Sequence, residues 1–202
     1  MIAAVVPAAG MSTRMGRPKL VLEVGGQPLI ARVVAALRGG GADAVVVVAP
    51  PPGQEGGPRL ADLAREAGAI VEVLAAASPD MRATIERGLL VLARLDPSPI
   101  GVLIAPADSV GLYARLVAEV VARFRRDPSR IVVPERDGRR GHPLALPWRE
   151  ALAITALPPG VGVNALLEAR SAIVDRLQVD APGLDADLDT PEDYRRWVGG
   201  EA

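Results

Sequence analysis

The chain has 202 residues and a formal charge of −1 at neutral pH, with an isoelectric point near 5.9. This argues against nucleic-acid binding, which calls for a basic excess and aromatic stacking platforms. Five aromatic residues set against 34 alanines make the core aliphatic, and the absence of cysteine with a single histidine excludes disulfides, thiolate catalysis and multi-histidine metal centres.

In chain order, residues 2–7, 44–49, 69–74, 100–105 and 131–134 are short, continuous apolar runs rich in Val and Ile. Such runs suit strands buried on both faces. Helical patterns lie between them. Residues 28–38 start at Pro28 and stop at a triple glycine; residues 59–67 stop at Gly68. Residues 79–95 follow Ser78 as an expected N-cap, with Met81, Ile85, Leu89 and Leu92 on one apolar face. Residues 111–126 end in Arg123, Arg125 and Arg126, read as a solvated helix end. After residue 135 the alternation loosens. A turn at 136–139 and the run HPLALPW read as a hairpin-like excursion, followed by two short helices and a strand near 172–179. Thr190 and Pro191 open a last helix. The alternation predicts an α/β fold: one three-layer α/β/α Rossmann-like domain over residues 1–202 with a mostly parallel sheet. No apolar run approaches the roughly 20 residues of a membrane span. The apolar N-terminus carries Pro7 and has no basic residue before Arg14. It reads as a strand and not a signal peptide, so a soluble cytoplasmic protein without membrane contact is expected.

The chemistry concentrates after the first strand, in PAAGMSTRMGRPKL, residues 7–20. Small residues let backbone N–H groups face a ligand's oxygens, and Arg14, Arg17 and Lys19 add cations. This combination suits a polyphosphate, although a basic surface loop would carry the same residues. It matches neither GxxxxGK[ST] nor GxGxxG. Lys19 is the one lysine beside 22 arginines; chance under a bias toward arginine would leave such a remnant, and so would a position where a compact ammonium is wanted and a planar guanidinium is not.

In its order, Ala8, Ala9, Gly10, Ser12, Arg14, Met15, Gly16 and Lys19, this segment resembles the signature of the nucleotidyltransferase family that includes the molybdenum cofactor cytidylyl- and guanylyltransferases. The resemblance runs along nearly the whole chain. DMRATIERGL resembles the segment at the base and ribose, with Thr84 for the usual serine; IAPADSVGL resembles the segment whose aspartate, here Asp108, holds the metal. GRRGHPLAL resembles an R-G-H-P segment that implies an acceptor-site role for His142. DLDTPEDY resembles the C-terminal segment that supplies a second metal ligand, Asp189, with Asp187 able to take that role. Read without the family, Asp108 could cap a helix, Asp187 and Asp189 could be loop carboxylates, and His142 could be a packed histidine.

The resemblance implies a nucleotidyl transfer with Arg14, Lys19 and Asp108 in the catalytic set. Ala8, Ala9, Gly10, Met11, Ser12, Arg14, Lys19, Thr84 and His142 would contact the substrates, and Asp108 and Asp189 would hold Mg²⁺. In-line attack on an α-phosphate needs cations at the leaving phosphates and one or two carboxylates for the metal. Ala9 and the R-G-H-P segment resemble the cytidylyl branch, implying CTP and a phosphorylated acceptor of the molybdopterin type, with a molybdoenzyme or its chaperone as protein partner. Isoprenoid-pathway cytidylyltransferases share P-A-A-G, but their D-A-A-R-P segment is missing; sugar-phosphate nucleotidyltransferases are usually longer. Arg82, Ala83, Val161 and Asn164 depart from the family pattern toward base or acceptor. A non-catalytic protein that hands a cofactor to an enzyme is the reading from another class.

Overall fold

The computed structural model describes residues 1–11, 14–95 and 98–198. Strand β1 (Ile2–Pro7) leads to a small hairpin, β2 (Glu23–Val24) and β3 (Gln27–Pro28), and then to α1 (Leu29–Gly39) and β4 (Ala44–Ala49). Next come α2 (Gly57–Glu66), β5 (Ile70–Val73), α3 (Met81–Leu92), β6 (Gly101–Ile104) and α4 (Ala114–Arg126). The remainder is β7 (Ile131–Arg136), β8 (Arg139–Arg140), β9 (Leu144–Pro147), α5 (Trp148–Ala153), α6 (Val163–Ala169), β10 (Val174–Gln178) and α7 (Pro191–Val198).

Every residue of β1 is buried, so the strand needs neighbours on both edges and helices on both faces. It pairs parallel with β4 on one edge and with β6 on the other, in a sheet ordered β10-β7-β9-β6-β1-β4-β5. The pleat sorts the two faces. Ile2, Ala4 and Val6 point into a core shared with α1, α2 and α4. Ala3 and Val5 point into a second core with α3, α5 and α6. The result is the expected α/β/α arrangement with a mixed, mostly parallel sheet. Among the described residues, no helix is long and apolar enough to cross a membrane.

Several local expectations change. HPLALPW is no excursion: β9 lies in the middle of the sheet, antiparallel to both β6 and β7. Its four residues are all buried, and its shortness and flanking prolines disguise a central strand. The turn before it is a true hairpin, with Asp137 at φ 52° and Gly138 at φ 77°, the left-handed pair of a type I′ turn. Helix α3 is capped by Asp80, whose side chain accepts from Ala83 N, and not by Ser78. Met81 stands one turn ahead of the packed stretch of α3 and is exposed, while Ile85, Leu89 and Leu92 are buried. Arg123, Arg125 and Arg126 are exposed, as expected of a solvated helix end, and Arg123 Nε in addition donates to Asp175 on β10 at 2.6 Å.

Two close approaches position the cleft described next. A Cβ at Gly88 would lie 2.5 Å from Val5 Cγ1, so glycine there lets α3 sit directly on β1. A Cβ at Gly111 would lie 2.0 Å from the Gly183 carbonyl oxygen. Glycine at 111 therefore lets the C-terminal segment press against the loop after β6.

Candidate active site

A cleft of about 440 Å³ opens at the carboxyl ends of β1 and β6, the edge where open α/β sheets take their ligands. One wall is the turn after β1. Ala8 N donates to Val48 O, which carries the turn on from the sheet. Gln54 Nε2 donates to Gly10 O at 3.0 Å and holds the turn from outside. Ala8 and Ala9 are buried, while Gly10 and Met11 are exposed. The chain returns through Pro18 into a 3₁₀ turn, Lys19–Val21, with Leu20 anchored in the core. Lys19 is thereby aimed across the cleft.

The opposite wall joins distant parts of the chain. Asp108 follows β6 and Asp189 precedes α7. Leu188 N donates to Asp108 O at 3.1 Å, and Ser109 and Asp187 form an isolated antiparallel bridge. The two aspartates thus lie on adjacent extended segments. The Asp193 carboxylate accepts from Asp189 N and Thr190 N, which fixes that segment at the start of α7. Lys19 Nζ donates to Asp108 Oδ2 at 2.6 Å and to Asp189 Oδ1 at 2.8 Å. Arg14 reaches Asp189 Oδ2 at 2.9 Å from the solvent side. Burial works against the Lys19 charge, but the Asp108 and Asp189 carboxylates outweigh it and hold its pKa above the usual lysine value. Asp187, two residues before Asp189, is exposed and is not among the cleft-lining residues. Desolvation by the protein around its carboxyl, and then the Asp108 and Asp189 charges, push its pKa up to about 6.

The third side is the start of α3, where Ser78, Pro79, Asp80, Met81 and Thr84 line the cleft. Asp80 accepts from Ala83 N at 2.7 Å and from Gly160 N at 3.1 Å. These backbone donors keep its pKa below the usual range. Thr84 Oγ1 lies 2.8 Å from Ser78 Oγ, so this hydroxyl is engaged within the wall.

The cleft therefore collects Ala8, Ala9, Gly10, Met11, Arg14, Lys19, Thr84, Asp108 and Asp189 around one space. Ser12 lies outside the described residues. His142 is not part of the lining. It is half-buried, with Nδ1 buried and without a hydrogen-bond partner. Burial lowers its pKa, against the opposing influence of the Ile104 backbone and the Asp108 charge. Sequence reasoning missed Asp80, although an Asp three residues before Ala83 is itself a capping signal. It also missed the cation–π contact of Arg17, whose Cζ is 4.9 Å from the Tyr194 ring centroid. No local pattern announces a contact between residues so far apart.

The arrangement offers backbone groups and two cations to an anion, beside two carboxylates that face one point. Among the described residues, no group of three or more His, Asp or Glu side chains is disposed to cage a metal. A Mg²⁺-type ion needs only one or two carboxylates when phosphates and water supply its other ligands. The ammonium already held by both carboxylates is a stand-in for a cation at that point, so the residues fit one.

Residues 4–175 match the family model described as the MobA-like NTP transferase domain. Among solved structures, an Rv0371c homologue from Mycobacterium sp. strain JC1 superimposes with a TM-score of 0.79 at 26% identity, covering 98% of this chain and 96% of that one. Rv0371c of Mycobacterium tuberculosis H37Rv, described in complex with manganese, gives 0.74 at 24% identity over 98% of both chains. A nucleotidyl transferase from Methanothermobacter gives 0.80 at 21% identity, covering 99% of this chain and 97% of that one.

Proposed function

The chain belongs to the MobA-like NTP transferase domain family and is a nucleotidyltransferase by that membership; from this premise we propose that it transfers CMP from CTP to a phosphorylated acceptor of the molybdopterin type. An acceptor phosphate oxygen attacks the α-phosphorus, the bond from that phosphorus to the bridging oxygen of the β-phosphate breaks, and pyrophosphate leaves. The acceptor oxygen is already anionic at neutral pH, so no strong general base is required.

The observation that carries this reading is the meeting of Arg14, Lys19, Asp108 and Asp189 beside the turn after β1. Negative charge grows on the departing pyrophosphate, and preorganised cations at that position lower the barrier. Arg14 and Lys19 fill this role, while the Ala8–Met11 backbone orients the phosphates. Asp108 and Asp189 would hold Mg²⁺, which when bound neutralises phosphate charge; the manganese complex of Rv0371c supports a divalent ion in relatives. Ala9 and the R-G-H-P segment favour CTP. The dinucleotide product would pass to a molybdoenzyme or its chaperone.

Pyrophosphate release measured with each of the four nucleoside triphosphates and a panel of phosphorylated acceptors tests the proposal. CTP with a pterin phosphate should give the highest turnover. A GTP preference would overturn the cytidylyl assignment. Binding without pyrophosphate from any pair would leave a carrier of nucleotide or cofactor.

A further inference from the structure

Lys19 is the one lysine of the chain, and it is spent on carboxylates. Its Nζ is within 2.8 Å of both Asp108 and Asp189, with the side chain 12% exposed. We infer that Lys19 is an exchangeable counter-ion: it holds the Asp108–Asp189 pair while no metal is bound, and a divalent cation displaces its ammonium toward the cleft. This deepens the reading of the cleft as a metal-assisted nucleotidyl transfer site and rests on it.

Charge and stiffness support the exchange. Two adjacent carboxylates repel each other unless a cation lies between them. Lys19 and Arg14 neutralise the pair, so a dication arriving at the same oxygens meets an already balanced set. Like charges cannot share that point, and the partner that yields is the one free to move. Asp108 is fixed through Leu188 N, and Asp189 through Asp193. Arg14 binds from outside, 72% exposed, and does not fill the middle. Lys19 hangs on a flexible four-carbon stem and carries a compact charge.

A binding consequence follows. Metal affinity is reduced by the fraction of molecules in which Lys19 occupies the carboxylates. Removing the ammonium should therefore tighten metal binding, whereas a lysine that served only phosphates would give no such gain. By reciprocity, metal binding frees Lys19 for an anion, so metal and polyphosphate should bind cooperatively.

The test is a Mn²⁺ titration followed by electron paramagnetic resonance, without nucleotide, on the native protein and on Lys19→Met. The variant should bind Mn²⁺ about tenfold or more tightly than the native protein. Equal or weaker binding by the variant, with measurable binding by the native protein, overturns this inference alone. Absence of Mn²⁺ binding in both overturns it together with the metal-assisted reading. Should Lys19→Met fail to fold, the native protein decides. With ¹⁵N-lysine labelling its single Nζ resonance should move toward that of a solvated ammonium when Mg²⁺ is added, and an unmoved resonance at saturating Mg²⁺ overturns the inference.

Discussion

Asp108, on the loop after β6, and Asp189, on the segment before α7, are held by one ammonium at 2.6 and 2.8 Å. Their meeting is built into the backbone. The Leu188–Asp108 hydrogen bond, the bridge between Ser109 and Asp187, and the tight approach of Gly111 to Gly183 all draw the C-terminal segment onto the β6 loop. The proposed cation position depends on this contact, because the two carboxylates meet at one point only where these segments lie side by side.

Asp108→Asn and Asp189→Asn should therefore behave as one lesion. Each should lower turnover on the order of a hundredfold, the scale of losing an aimed electrostatic group. The double variant should lose little more than either single, since groups acting as a unit are not additive. Thermal midpoints of the two single variants should change little, because Lys19 keeps one carboxylate partner in each, whereas the double variant leaves that largely buried ammonium unpaired and should melt lower. Pyrophosphate-release rates on the three variants check this, and strictly multiplicative losses would contradict it.

Lys19→Arg keeps the charge and should still be harmful. A guanidinium is a wide planar fork and cannot take the place of an ammonium between two carboxylates that both lie within 2.8 Å of one nitrogen. Turnover should fall about tenfold or more, which corresponds to about 1.4 kcal/mol of barrier. Unchanged steady-state rates would show that the site has no preference for the ammonium.

The long strands were legible because β1 and β4 are continuous apolar runs that no other element explains. Strand β9 was not: Leu144, Ala145 and Leu146 between two prolines are too few to carry a period. Arg14, Lys19, Asp108 and Asp189 could each be named from motif order, and the structure brings them to one cleft. What the motif could not give was their pairing. Sequence reasoning aimed Lys19 at phosphates, whereas its contacts are Asp108 and Asp189, set by how a C-terminal segment folds back across the sheet. Asp80 was hidden behind Ser78 because both are good caps, and only the extended backbone at Asp80 decides between them.

Asp80 carries two duties that can be separated. It caps α3 through Ala83 N and ties the loop at Gly160. Asp80→Ala should cost about 1 kcal/mol of stability, the usual size of a lost cap, read as a lower midpoint in urea unfolding. Asp80→Ser should recover most of that loss by restoring the cap alone, while hydrogen exchange at Gly160 N stays faster than in the native protein. Full protection of Gly160 in the serine variant would mean that the loop is held by other contacts.

His142 should make stability depend on pH. Its ring is held neutral by burial, with the folded-state pKa below the ordinary 6.5, so the unfolded chain binds the extra proton first on acidification. Its contribution is complete above about pH 6.5 and is lost as the pH falls through the lowered folded-state value. Asp187 acts in the opposite direction. With its folded-state pKa raised to about 6, it is favourable when protonated and costs stability as the pH rises from its unfolded value toward 6. Comparing native protein with His142→Gln isolates the histidine, since Asp187 is common to both. Between about pH 7 and 5 the native protein should lose more stability than the variant, read as a larger drop in urea midpoint. Parallel losses in the two proteins would mean that the ring takes up its proton in the folded state as readily as in the unfolded one.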